Sequence, residues 1–272
     1  MNNFFKRSIT GLFIVVLIIG AITLHQISFF VFFLFILIIG MWEFYRLSGK
    51  TGNRPQNLFG IFIGILLFLC NFLYVTNRVD QKFFLLFIPL ALSIFIIEIY
   101  RKNKSPVSNI AYTFLGLIYI ALPFSLFNYF VFSFANTVKY NPNILLGFFF
   151  LLWANDTGAY LIGMPLGKHK LFKEISPKKS WEGFIGGVII TMIIAYINSI
   201  FFKELRTFDW FVTALIVVIM GTFGDLVESL FKRSVGVKDS GTILPGHGGI
   251  LDRFDSVLLS SPVVFLYLQI IS

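Results

Sequence analysis

The sequence predicts an all-α fold: a polytopic helical membrane protein with about nine transmembrane helices and a cytoplasmic N-terminus. Three observations carry that expectation. Hydrophobic residues fill 57% of the 272 positions and charged residues 13%, with 36 Phe, whereas a soluble domain is about 45–50% apolar and about 25% charged. The apolar residues form long runs, and about 20 such residues cross the hydrocarbon core. The Lys and Arg cluster in alternate gaps between the runs. The same composition excludes disorder, which needs low hydrophobicity and high charge. A lone Cys70 excludes an internal disulfide framework and, with three His, argues against a Cys/His zinc cluster. The net charge of +9 reads as basic loops beside a bilayer, with no nucleic-acid partner.

In chain order the candidate spans are 8–24, 27–45, 57–75, 83–100, 108–132, 143–163, 183–201, 210–231 and 254–271. The first follows Lys6 and Arg7, as a signal peptide would. No small-residue cleavage site comes after it and a second span starts at once, so the pair is expected to form a hairpin around His25 and Gln26. Pro123 is expected to kink the fifth span, which packed membrane helices tolerate. With the N-terminus in the cytoplasm, sixteen basic residues fall in inside segments and five in outside ones, a clear positive-inside bias. Residues 1–140 are read as an N-terminal membrane region, and 141–272 as a catalytic region with cytoplasmic loops 164–182 and 232–253. An active site in such a chain has only helix ends and these two loops to draw on.

Ten of the 13 acids lie at or after position 156. Glu43 and Glu98 fall near cytoplasmic helix ends and read as interfacial acids beside Arg46 and Arg101. Asp156 and Asp225 instead lie inside apolar runs. An unpaired carboxylate there costs about 2.5–3.5 kcal/mol on insertion scales, so such residues usually face a bundle interior and mark function. At 1.5 Å per residue, both sit roughly 10 Å from the inner end of their spans. Glu182, Asp252 and Asp255 stand at inner helix starts, so five acids converge on one layer. Asp225, Glu228, Ser229 and Lys232 share one helical face, as do Asp252 and Asp255. Carboxylates among cations suit a hard, oxygen-liganded cation together with phosphates. Spacing alone leaves two rivals open: buried ion pairs such as Asp225 with Lys232, and a proton or cation pathway.

Two loops carry the chemistry. The second includes Ser229, Lys232, Arg233, Lys238, Asp239, Pro245, His247, Gly248, Gly249, Asp252, Arg253 and Asp255. Glycines there let backbone N–H groups approach a phosphate, and no Walker motif is present. The first holds Asn155-Asp156-Thr157-Gly158-Ala159-Tyr160 and Ser176-Pro177-Lys178-Lys179-Ser180. Gly183, Gly186 and Gly187 read as close helix packing.

These stretches resemble the phosphatidate cytidylyltransferase (CDP-diacylglycerol synthase) family. Every fixed position of its 229–255 pattern is met. The likeness is strong over roughly 145–272, while the first 140 residues match in hydropathy and in Trp42-Glu43-Phe44. Met164 departs from the pattern, since many members carry a basic residue after Gly163. The resemblance implies transfer of the cytidylyl group of CTP to phosphatidic acid, giving CDP-diacylglycerol and pyrophosphate. It implies Mg²⁺ held by Asp225 and Asp252, with Asp255 and Asp156 as further ligands or supports, and leaves a second ion open. Lys232, Arg233, Lys238, His247 and Arg253 would grip the CTP phosphates, with Gly248 and Gly249 admitting them. Asn155, Asp156, Ser229, Lys178, Lys179 and Ser180 would bind substrate. A homodimer, a bacterial inner membrane and a cytoplasm-facing site belong to the same expectation. A lipid kinase and a transporter are the rival readings; a CDP-alcohol phosphotransferase would need an Asp-Gly-x-x-Ala-Arg motif that is absent.

Overall fold

The computed structural model describes residues 3–132, 139–241 and 248–271, with side chains from residue 11 onward. Helices α1 (Asn3–Leu24) and α2 (Gln26–Gly49) form the expected hairpin. The link is the single residue His25, whose extended backbone (φ −167°) ends one helix and caps the next. His25 Nδ1 accepts from Ile27 N at 3.1 Å, and Ser28 Oγ accepts from His25 N at 3.0 Å. This reciprocal cap satisfies N–H groups that the first turn of a helix leaves without partners.

Helix α3 (Asn57–Val75) follows, then a 3₁₀ turn (Gln81–Leu86) leading into α4 (Phe87–Arg101). The fifth span is continuous but not uniform: α5 (Pro106–Gly116), a π turn (Leu117–Ala121) and α6 (Leu122–Phe132). The irregularity expected at Pro123 is displaced to the turn before it. Proline has no N–H to bond the carbonyl four residues back, here Tyr119, and wider turns absorb such a gap. Helix α7 (Asn143–Leu166), α8 (Trp181–Phe201), α9 (Thr207–Ser234) and α10 (Leu251–Ile271) complete the bundle.

Eight of the nine expected spans are helices long and apolar enough to cross a membrane. The first expected span lies in α1, whose described apolar part is Gly11–Leu24. Helices run past the apolar edges read from the sequence. Helix α9 carries Lys232 and Arg233, and α10 carries Asp252 and Arg253, because backbone hydrogen bonding does not stop where hydropathy falls. The 164–182 and 232–253 loops are therefore shorter than expected. The first also contains an element absent from the all-α expectation, a small antiparallel ribbon of β1 (Lys170–Phe172) and β2 (Ser176–Ser180), paired Lys170 to Ser180 and Phe172 to Ser176.

Between lipid-facing helices the hydrophobic effect supplies little, so shape and close approach must hold the bundle. Phe29, Phe33, Phe124, Phe127, Phe130, Phe148 and Phe149 are fully buried. Phe33 meets Phe149 at 6.0 Å and Phe124 meets Phe254 at 5.4 Å, joining early helices to late ones. At one end of the bundle, Asp209 accepts from Arg206 Nε and Tyr267 Oη, each at 2.8 Å. There too Glu204 accepts from Asn141 and Asn143. The other end holds the candidate site.

Candidate functional site

The site end is assembled by a seam of glycines. On α7, a Cβ at Gly158 would stand 2.6 Å from the carbonyl oxygen of Gly186 on α8, and one at Gly163 would stand 3.1 Å from Gly183 Cα. The backbones touch, as Gly183, Gly186 and Gly187 were expected to allow. The approach carries Asn155 and Asp156 against the start of α8. Ser180 caps that helix, its Oγ accepting from Gly183 N at 3.2 Å. The ribbon's base is clamped as well: His169 Nδ1 lies 2.6 Å from Glu182 Oε1, and Trp181 N donates to His169 O.

A chamber of about 650 Å³ opens between these elements and α9. Six of the residues singled out in the sequence line it: Asn155, Asp156, Lys178, Lys179, Ser180 and Asp225. Lys179 Nζ pairs with Asp225 Oδ2 at 2.5 Å and donates to Thr222 O. Asp156 lies within electrostatic reach of Asp225, Lys179 and Arg253, and Asp255 within reach of Asp225 and Asp156. Ser229 Oγ touches Asp225 Oδ1 at 3.4 Å. Helices α7, α9 and α10 and the ribbon thus contribute charge to one spot.

Behind this chamber lies a second polar cluster. Lys232 Nζ bridges Glu228 at 2.5 Å and Asp252 at 2.6 Å, so the rival reading's Asp225–Lys232 pair does not form; Asp225 pairs with Lys179, and Glu228, Lys232 and Asp252 form a chain. Asp252, read from the sequence as a leading metal candidate, has both oxygens engaged by the chain itself. Oδ1 takes Lys232, while Oδ2 accepts from Ser240 N at 3.0 Å, Ser240 Oγ at 2.9 Å and Gly249 N at 2.7 Å. Its role in the fold is to tie the loop to the start of α10. Among the described residues, the acids whose oxygens gather within 4.8 Å of one another are Asp225, Glu228 and Asp255. Lys232 holds Oε2 of buried Glu228, and Oε1 has no hydrogen-bond donor among the described residues. Asp156 lies outside that trio.

Around this core, Arg233, Lys238 and Arg253 are exposed, and Arg233 reaches the Val237 carbonyl. Gly248 has φ +81°, and a Cβ there would strike Asp252 Oδ2, so this turn requires glycine. His247 and Pro245 lie outside the described residues.

Three residues went unassigned from the sequence. Glu228 shares a helical face with Asp225, a signal that was legible. Tyr119 comes from the π turn. It is buried, its hydroxyl has no hydrogen-bond partner among the described residues, and it lies within electrostatic reach of Glu228, Asp255 and Asp225. Glu43 is not the interfacial acid expected beside Arg46. It is 2% exposed and accepts from Leu251 N at 3.0 Å. Its partner is 208 residues away, beyond the reach of local spacing. Glu98 does pair with Arg101, at 2.8 Å, but it is buried and also accepts from Gln56 and Asn109.

A family model described as the cytidylyltransferase family matches residues 5–271. Proteins named phosphatidate cytidylyltransferase are similar over part of the chain. One from Staphylococcus haemolyticus is 42% identical over 169 residues. One from Staphylococcus aureus is 41% identical and one from Staphylococcus epidermidis 40%, each over 169 residues. These alignments span 61% of this chain and 62% of each relative.

Proposed function

The chain belongs to the cytidylyltransferase family, and from that premise we propose that it transfers the cytidylyl group of CTP to phosphatidic acid, releasing pyrophosphate and forming CDP-diacylglycerol in phospholipid synthesis. The observation that carries this reading is the chamber at one end of the bundle, with Asp156, Asp225 and Lys179 on its wall and Asp255 beside it. The name shared by the relatives supports the choice of lipid. A site at a helix-bundle end suits one lipid and one water-soluble substrate. The basic-residue bias supports a cytoplasm-facing end, the bacterial relatives support an inner membrane, and the family resemblance extends the proposal to a homodimer.

In the proposed reaction an oxygen of the lipid phosphate attacks the α-phosphorus of CTP. The new P–O bond forms as the bond to the β-phosphate oxygen breaks, and pyrophosphate leaves with that electron pair. The lipid phosphate is already an anion near neutral pH, so no strong base is needed. The difficulty is holding two polyanions together in line, which fixed cations and positioning address. Lys178 and Lys179 face the chamber and are suited to a phosphate there; Arg233, Lys238 and Arg253 are exposed. Asn155 adds an amide beside Asp156.

The residues fit Mg²⁺. The donors are hard carboxylate oxygens, and among the described residues Glu228 Oε1 has no hydrogen-bond donor while Oε2 meets Lys232. Asp225 and Asp255, with Glu228, would hold the ion, and Asp156 would stand near it. Bound there, it would neutralise phosphate charge.

The test uses detergent-purified protein, CTP and phosphatidic acid, with and without Mg²⁺, following pyrophosphate and the lipid product. Metal-dependent release requiring both substrates is expected. Release without the lipid, or none from folded protein, would overturn the reading.

A further inference from the structure

We propose that Glu43, on α2, is a positioning residue for the site: it holds the start of α10 and the loop before it in register with the acids of α9. The inference deepens the proposed function and rests on it.

The contacts are specific. Glu43 Oε2 accepts from Leu251 N at 3.0 Å, supplying a cap to α10 from a different helix. The same oxygen lies 3.4 Å from Ser240 Oγ. That hydroxyl has one proton, and its shorter contact, 2.9 Å, is to Asp252 Oδ2. Asp252 therefore holds the serine, and Glu43 stands beside it on the other side. The loop backbone closes directly on the carboxylate. A Cβ at Gly241 would stand 2.5 Å from Glu43 Oε1, and a Cβ at Gly249 2.6 Å from the same atom. Glycine at both positions lets the two ends of the loop pack against one buried acid.

Geometry then links Glu43 to the chemistry. Leu251 is followed by Asp252, which carries Lys232, and one turn later by Asp255, which belongs to the carboxylate trio. An error in the start of α10 moves both. Among the described residues Glu43 Oε1 has no hydrogen-bond partner, whereas Glu98 is met by Gln56, Asn109 and Arg101.

The experiment compares full-length wild type, Glu43→Gln and Glu43→Ala in detergent. Steady-state kinetics with CTP and phosphatidic acid are paired with hydrogen–deuterium exchange over residues 239–255. Glu43→Ala is expected to lower kcat at least tenfold and to speed amide exchange around Leu251, while peptides of α3 and α6 stay protected. Glu43→Gln keeps an acceptor oxygen and is expected to recover most of both losses. Unchanged exchange around Leu251 in Glu43→Ala would overturn the proposal, as would kinetics equal to wild type. Loss of protection throughout the bundle in both variants would assign Glu43 to general stability and overturn it too. Should Glu43→Ala not fold, Ser240→Ala and Gly241→Ala probe the same contacts and are expected to show the same local exchange. A wild type with no turnover would sink the reaction, while the exchange data would still decide the positioning.

Discussion

At the scale of single residues, the site is set by which oxygens find donors. Asp252 and Asp255 share a helical face, yet Asp252 is saturated by Lys232, Ser240 and Gly249 while Asp255 joins Asp225 and Glu228. Their conservative variants should therefore separate. Asp255→Asn is expected to lower kcat at least a hundredfold with an unchanged melting temperature. Asp252→Asn is expected to lose activity and also to become easier to cleave by protease between 235 and 250, because a charge-assisted bond to Lys232 goes with it. Equal protease sensitivity in the two variants would count against this division. Lys179→Met leaves Asp225 without its partner and is expected to cost at least tenfold in kcat/KM, read with both substrates at saturation in turn. The periodicity of the sequence placed Asp225, Glu228 and Lys232 on one face correctly. It could not say that Lys232 would choose Glu228 and Asp252, since that choice depends on how α9 and α10 cross.

At the scale of elements, the apolar runs were legible because crossing a bilayer imposes length and composition together. Helix ends were not, because a helix continues through Lys232 and Arg233 as long as its carbonyls are met. The β ribbon was hidden for a different reason: strands of three and five residues leave no usable alternation. The glycine seam between α7 and α8 was visible as Gly183, Gly186 and Gly187, and its partner Gly158 sat in the Asn155–Tyr160 motif. Because a Cβ at Gly158 would lie 2.6 Å from a backbone oxygen, which cannot swing aside, Gly158→Ala must push the helices apart. Overpacking of this kind costs about 1–3 kcal/mol. A lower melting temperature in detergent, with a fall in kcat, is the expected result. The open position Gly20, with no described residue near a new Cβ, serves as the control, and Gly20→Ala should leave both unchanged.

At the scale of the whole molecule, the sidedness inferred from the basic residues makes its own prediction. In a Cys70→Ser background, a cysteine at Lys178 should react with a membrane-impermeant thiol reagent only from the cytoplasmic side, and one at Lys203 only from the outside. Labelling of Lys178→Cys from outside would invert the proposed orientation. The two ends are also built differently. One is closed by neutral amides on Glu204 and by the Arg206–Asp209–Tyr267 clasp; the other concentrates carboxylates and cations around a chamber.

The π turn in the fifth span has a consequence for chain length. Each residue advances an α-helix by about 100°, and a π turn accommodates an extra residue within one turn. The two sides of Leu117–Ala121 answer to different neighbours. Before it, Asn109 and Thr113 are bonded to Glu98 and Gln56; after it, Phe124 packs on Phe254. The turn works like a slip joint between two fixed fittings. Delete one residue within 117–121 and the span can become a regular helix, but either the polar clasp or the aromatic seam then faces about 100° away from its partner, and Tyr119 leaves the acids. Removing one residue from the short link 102–105 should cost far less. Insertions and deletions along this span are thus expected to be tolerated at its mouth and refused at its middle.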